Sequence, residues 1–493
     1  MNNTSSQSGA NNGRHAVVIG GSMAGLLAAR VLSDHFDQVT VIERDRYPLT
    51  PAPRPGVPQS RHLHALLARG LKILGKMFPG LSDELIAEGA VEIEVGSDLA
   101  WLSPAGWGIN VNFGIGALSF SRDLLDWVVR RRMSTVPNVR LLEDSEVKKL
   151  VRNECGDAIS GVSFGRRNQT NEANGDDEFL ASDLVVDAGG RASRLPQWLS
   201  AIGYEPPVET VVNAHLGYAS RLYKIPAGFD ARWKGIIVQA APPAHIRGGL
   251  IFPIEDNRWI VTLIGGDRDY APVDEENFLA FARSLRSPLI YEAIRGAEPL
   301  TPISGYRATE NRRRHYEQLK RWPEALIVIG DGACAFNPVY GQGMTTAAIG
   351  AEWLAKCLRE QCDRSDGKSG GLARRFQRGL ASLNADPWTL SSSADYRYRD
   401  AEGRAPNRMT RFIHRYVDQV LALSTRDAEV RKRFLEVQGM LKQSSELFKP
   451  GVVARVIWGV MSDVFRQAED EDRKMAGIEA PPPLGKRTSP SKS

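Results

Sequence analysis

The sequence predicts a mixed α/β fold: a parallel-sheet domain, an antiparallel sheet inserted into it, and a helical lobe toward the C-terminal end. Three observations predict it. Short apolar runs that end in glycine or an acid occur at Ala16–Ile19, Leu184–Asp187 and Ala325–Ile329, and each leads through a glycine turn toward a helix start. Between the last two, residues 211–265 hold four strand-like runs joined by short turns, the pattern of antiparallel pairing. Beyond residue 407, apolar residues recur at helical spacing.

The first run is the most informative. His15-Ala-Val-Val-Ile leads into Gly20-Gly-Ser22-Met23-Ala24-Gly25, a helix, and then Val39-Thr-Val-Ile-Glu43. Strand, turn, helix, strand, acid is the Rossmann-like order that binds a dinucleotide. Gly20 makes the turn. Gly25 lets the helix pack closely on the strand, and the free N–H groups at the helix start face a pyrophosphate. Ser22 stands where the pattern wants its middle glycine, and a small residue still allows close backbone approach. Glu43, with Arg44 beside it, sits where a carboxylate holds an adenosine ribose.

Composition narrows the class. The 493 residues are too many for one simple core, and 42% hydrophobic with 25% charged is the make-up of an ordinary globular chain. A net charge of +5 gives no case for nucleic acid as a partner. No apolar run reaches the ~18 residues that span a bilayer. The polar start, Met1–Gly13, lacks the apolar core of a signal peptide and is expected to be a disordered tail, as is Ala476–Ser493. Cysteines at 155, 334, 357 and 362 show no framework spacing, which suits a reducing cytoplasm; Cys357 and Cys362 are expected as small buried residues on one helix. The eight histidines form no ligand pattern, so no metal is expected.

Along the chain, residues 44–58 hold five prolines and read as a stiff extended loop. Gln59–His64 is expected to open a helix running to about Met77, with Arg61, His62 and His64 near its start, facing either a cofactor or solvent. Ser121 is a plausible N-cap for a helix whose apolar residues 124, 125, 128 and 129 form one stripe. Arg122 lies in its first turn, against the helix dipole, which suggests a partner anion. Val139–Val151 reads as a strand pair, and Gly165–Glu178 as a surface hairpin loop. Asp187 ends the next buried strand, and a helix carrying Ser193 in its first turn follows. After the inserted sheet, Asp331 ends another strand, placed to bind hydroxyls of a polyol; Gly341 and Gly343 free N–H groups at a helix start, where they stabilise an electron-rich ring edge. Three helices are expected over 407–421, 427–447 and 452–465, packed as a lobe in preference to a membrane-surface contact. The units predicted are 14–210 (with some elements of the inserted sheet near 90–120), 211–305, 306–400 and 401–475, between tails at 1–13 and 476–493.

The three glycine-containing blocks together resemble the FAD-dependent monooxygenases of the p-hydroxybenzoate-hydroxylase fold. Gly20–Gly25 with Glu43 is similar to that family's adenosine-diphosphate site. Asp187–Arg194 is similar to its middle motif in diverged form, and Asp331 with Pro338 and Gly341–Met344 to the motif that holds the ribityl chain and the isoalloxazine. Arg122 matches the arginine that approaches the FAD phosphates. Within the family the chain resembles bacterial polyene epoxidases of polyether pathways, through residues 21–25, 56–62, 187–199, 335–344 and 386–388. The resemblance covers about 15–400. It implies FAD as cofactor and transfer of one oxygen from dioxygen, through a flavin C4a-hydroperoxide, to an alkene or electron-rich ring of a lipophilic substrate in specialised metabolism. Pro338 and Gly341–Met344 are implied near the flavin ring, with Arg61 and His62 as further candidates; oxygen transfer demands no acid–base residue, so none is assigned. The substrate wall is expected from the 213–265 sheet. No second Gly-x-Gly-x-x-Gly unit occurs, so the electrons come either from NAD(P)H visiting the FAD domain or from a partner flavin reductase. Three alternatives stand beside this reading. A flavin-dependent halogenase needs a Trp-x-Trp motif, which the ten tryptophans lack. A prenyl-chain reductase of the geranylgeranyl-reductase type shares wording like Asp187-Ala-Gly-Gly-Arg-Ala-Ser. A non-catalytic FAD-binding scaffold is the third.

Overall fold

The computed structural model describes residues 13–166, 177–363, 371–403 and 407–475. Its centre is a five-stranded sheet in the order Leu326–Val328, Leu184–Asp187, His15–Ile19, Gln38–Ile42, Val139–Leu142, with every pairing parallel. The first four of these strands are buried along nearly their whole length, as a parallel sheet covered on both faces requires, whereas the edge strand Val139–Leu142 is only partly covered. The helices Met23–Leu32 and Gly343–Cys362 pack against each other over this sheet, so the first and third glycine turns start side by side.

A seven-stranded sheet holds the predicted inserted strands, Gly217–Lys224, Gly235–Val238, Arg247–Ile254 and Arg258–Gly265, together with Ser304–Tyr306, Leu99–Ser103 and Gly106–Trp107. All its pairings are antiparallel except that of Gly235–Val238 with Leu99–Ser103. Register sorts the side chains by face. Ala219, Tyr223, Val261, Leu263 and Ile251 point to one face, where they form a core with Phe278 and Phe281 of the helix Glu275–Arg283. The other face carries a cross-strand row in which each residue is paired with the next: Trp101, Ile237, Leu250, Thr262, Ser220. Trp101, Ile237, Leu250 and the neighbouring Phe252 are only half-buried.

Several expectations are corrected. The helix to Met77 begins only at Ala68; before it stand a single 3-10 turn, Pro58–Arg61, and an extended segment, 62–67. The reason is competition for donors: Leu63 N–H donates to Thr262 Oγ1 (3.4 Å) and Leu67 N–H to Thr345 Oγ1 (3.1 Å), which ties the segment to both neighbours. Val139–Val151 is two strands, but they belong to different sheets; Ser145–Arg152 pairs with Ile159–Arg166 instead. That strand pairs in turn with Glu178–Ala181, and residues 167–176 of the expected hairpin loop lie outside the described residues, as do Met1–Asn12 and Ala476–Ser493. Ser193 precedes the helix Leu195–Ala201 and does not sit in its first turn. Cys357 is buried, whereas Cys362 is exposed.

The C-terminal helices are Arg408–Ser424, Ala428–Gln438 and Pro450–Met475. The second is shorter than expected and stops at Gly439, after which Ser444–Phe448 forms a 3-10 turn. In the first, Val420 and Leu421 are buried, but Met409 (65% exposed) and Phe412 (67%) are not, because the early turns run past the lobe they pack on. Among the described residues no helix is long and apolar enough to cross a membrane. The lobe packs on the Trp101 end of the half-buried face of the seven-stranded sheet, where Phe434 meets Trp101 at 5.9 Å between ring centres, and on the helix Ala68–Met77, where the Arg69 backbone N–H donates to Gly439 O (3.0 Å).

Candidate active site

The first glycine turn closes on itself. Gly20 has φ +97°, where a Cβ would lie 2.7 Å from Ala188 O, and a Cβ at Gly25 would overlap the carbonyl oxygen of Gly20. Ser22 is the N-cap of the Met23–Leu32 helix, yet no side chain caps that helix and its first turn holds no acid. The Ser22 hydroxyl instead accepts from Arg122 Nη2 (3.0 Å). Arg122 is buried, with its Nε on Asp126 Oδ1 (2.8 Å). Ser121 does cap the helix Arg122–Ser134, accepting from Leu124 N–H. An uncapped helix start and a buried guanidinium thus converge, a pair that could hold an anion. Gly20, Ser22 and Ala24 are half-exposed while Met23 and Gly25 are buried, so one side of the turn stays open.

Glu43 is buried beside this turn. Its Oε2 accepts from Gly21 N–H (2.7 Å) and pairs with Arg54 (3.0 Å), and its Oε1 accepts from Asp45 N–H (3.0 Å), which leaves one acceptor position on Oε1. Tyr47 donates to Gly21 O (3.0 Å) and lies under Arg54 and Arg130. Arg44 is exposed. Asp187 is fully buried and satisfied inside the chain, by the Ser193 hydroxyl (2.5 Å) and Gly189 N–H (3.0 Å); its carboxylate holds the turn together and does not face the open side.

At the other end, Asp331 is half-exposed, 3.7 Å from Arg191 Nε. Burial raises its pKa against the pull of Arg191 and Arg122. The turn Pro338–Tyr340 ends at Gly341, whose φ of +68° brings it against Ala65: a Cβ there would sit 2.9 Å from Ala65 Cβ. The helix Gly343–Cys362 then starts with no side-chain cap, Met344 buried behind it, and Gln342 Oε1 buried without a partner. This turn is pinned from behind. Asp395, fully buried, accepts from Tyr340 Oη (2.6 Å), Asn337 Nδ2 (3.1 Å) and Asn311 Nδ2 (2.7 Å). Burial outweighs those donors and pushes its pKa up to about 7. Nothing in the local sequence marks Asp395; only the fold brings it under residues 337–340.

His62 docks on the seven-stranded sheet. It is 2% exposed, with Nδ1 2.8 Å from Ser220 Oγ, which is 2.7 Å from Thr262 Oγ1. Its ring lies edge-on to Tyr218 at 4.7 Å, and Tyr218 stacks on Tyr306. Burial pushes the pKa of His62 down to about 4, and that of His64, next to Arg122, to about 3. Arg61 is exposed and outside this cluster. Tyr218 and Tyr306 were not legible as site residues, because their strands carry no motif; Arg191 lies inside the Asp187–Arg194 motif, in the 3-10 turn Gly190–Ala192, but nothing there singled it out.

Fitted together, the open side of the first turn, Asp331 and the uncapped start at Gly343 form one strip that suits FAD from diphosphate to ring. Gln342 Oε1, buried and unpartnered, lies where the ring edge would supply a donor. Comparison with known proteins agrees. The flavin-dependent brominase Bmp2 has this fold, with a TM-score of 0.63 at 15% identity over 93% of this chain and 100% of that one. So does p-nitrophenol 4-monooxygenase PnpA from Pseudomonas putida, with a TM-score of 0.60 at 16% identity over 87% and 98%. Kynurenine 3-monooxygenase of Salinispora tropica is 26% identical over 369 residues, 71% of this chain and 73% of that protein. Fold and site define an FAD-dependent oxidoreductase of the monooxygenase class. Protein Rv3254 of Mycobacterium tuberculosis is 32% identical over 451 residues, 90% of this chain and 93% of that protein, and the chain belongs to the same family. No protein-family model matches it.

Proposed function

We propose that the protein transfers one oxygen atom of dioxygen to an alkene or electron-rich ring of a lipophilic substrate, by epoxidation or hydroxylation, in specialised metabolism in the cytoplasm. The observation that carries this reading is the half-buried row Trp101–Ile237–Leu250, which continues into Thr262 and Ser220 and so ends at His62, beside the segment that touches Gly341. An apolar wall that runs up to the flavin turn suits a lipophilic substrate. FAD supplies the oxygen chemistry when bound. The chain's own part is positional. Arg122 and the Met23 helix start hold the diphosphate, Asp331 the polyol, and the N–H groups from Gly343 onward the ring edge. His62 and the two tyrosines close the wall against water. NAD(P)H at the FAD domain or a partner flavin reductase supplies the electrons.

The test is anaerobic reduction of the FAD-loaded protein, then stopped-flow mixing with aerated buffer. A transient that absorbs to the blue of oxidised flavin, lengthened by a lipophilic alkene, is expected. Direct return to oxidised flavin, with and without the alkene, would shift the assignment to a prenyl-chain reductase. Reduction by NADPH alone, then with a flavin reductase added, identifies the donor.

A further inference from the structure

Arg431 lies on the Ala428–Gln438 helix, 1% exposed, with no acid in hydrogen-bond reach among the described residues. Its Nε and Nη1 are buried without partners. The guanidinium sits over Trp101 at 5.2 Å and beside Phe434 at 5.9 Å. Gly108 makes room for it: a Cβ there would overlap Nη2. Burial without any counter-charge pushes its pKa down to about 10. A guanidinium held in an aromatic niche with Nε and Nη1 unsatisfied is costly to keep, and an arriving anion would offset that cost. Arg433, on the same helix, is by contrast already paired, with Glu436 and Glu446.

The location says which anion. Trp101 is the end of the same paired row whose other end, Ser220, holds His62. Four strand spacings separate those ends, about 19 Å. Apolar Ile237 and Leu250 fill the interval.

We propose that Arg431 anchors a carboxylate at the far end of the substrate, which makes the substrate class an elongated amphipathic acid whose unsaturated end lies at the flavin turn. This rests on reading the row as the substrate wall. The C-terminal lobe thereby acquires a role: it carries the anchor.

The experiment compares oleate with oleyl alcohol, the same chain with and without the charge, by calorimetric titration of FAD-loaded protein, wild type and Arg431→Met. Oleate is expected to bind wild type at least about tenfold more tightly than the alcohol, and Arg431→Met to abolish that preference while it still binds the alcohol. The variant is also expected to unfold at a higher temperature than wild type without ligand, because an unpaired buried charge is gone. Equal binding of the two chains, binding of neither, a preference that survives in Arg431→Met, or a variant that unfolds at a lower temperature would each overturn the proposal. Binding needs no turnover, so failure here is separate from failure of the oxygen-transfer reading, which appears in the stopped-flow traces.

Discussion

His62 Nδ1 faces Ser220 Oγ across 2.8 Å, and that hydrogen bond is one link of a longer chain. Leu63 N–H donates to Thr262 Oγ1, and the Thr262 hydroxyl lies 2.7 Å from Ser220 Oγ; with Thr262 donating onward, the Ser220 hydroxyl is left to donate to Nδ1. That arrangement predicts a proton on Nε2 of His62. Nitrogen-15 spectra of histidine-labelled protein should show one imidazole, lost in His62→Gln, in the Nε2–H form. In Ser220→Ala that signal should move toward a mixture of tautomers. An Nδ1–H signal in wild type would refute the chain of donors.

The same residue gives a pH prediction. Its folded pKa, about 4, lies below the unfolded value of 6.5, so the native state resists protonation. Its contribution is present above pH 6.5 and is lost as pH falls toward 4, by ~3 kcal/mol at most. Urea unfolding at pH 7 and pH 4.5 should show a smaller drop in His62→Gln than in wild type.

How much of this was legible beforehand follows from where the constraints lie. Gly20, Gly25 and Gly341 announce themselves because a backbone shape excludes every side chain, and sequence records such exclusions directly. The inserted strands were legible from their β-branched and aromatic residues, to within a residue except that Gly235–Val238 stops three residues short of Ala241. The sequence around His62 suits a helix start, but the chain there is extended, because the donors of Leu63 and Leu67 are claimed by threonines some 199 and 278 residues away. Asp395 and Arg431 were missed for a related reason: each is one ordinary charge on an ordinary helix until tertiary packing buries it.

Gly25→Ala should abolish stable FAD retention. The new methyl group overlaps Gly20 O, and the helix start must move away from the strand to admit it. Gel filtration after FAD loading should return protein without flavin absorbance, while Gly75→Ala, where a Cβ meets nothing within 4 Å, should retain it.

Arg122→Met should weaken FAD binding by roughly tenfold to a hundredfold, the worth of one charge-assisted contact at ~1.5–3 kcal/mol. Because Asp126 would lose its partner, Asp126→Asn is the control for local damage. Fluorescence titration of apoprotein with FAD should find the control within a few-fold of wild type. If both variants weaken FAD equally, Arg122 acts through Asp126 and not on the diphosphate.

Asp395 should make the protein less stable as pH rises. Its folded pKa, about 7, lies above the ordinary carboxyl value of 3.8, so the native state binds the proton more tightly than the unfolded chain does. Stability from this group is complete below pH 3.8 and declines through pH 7, by up to ~4 kcal/mol. Asp395→Asn cannot ionise, and its amide sets two N–H donors against the donating amides of Asn337 and Asn311. The variant should therefore be weaker than wild type at pH 5 and should close that gap by pH 8. FAD should also dissociate faster from it at both pH values, since Tyr340 and Asn337 flank the Pro338 turn. Parallel stability curves from pH 5 to 8 would mean that Asp395 stays ionised throughout, with its three donors outweighing its burial.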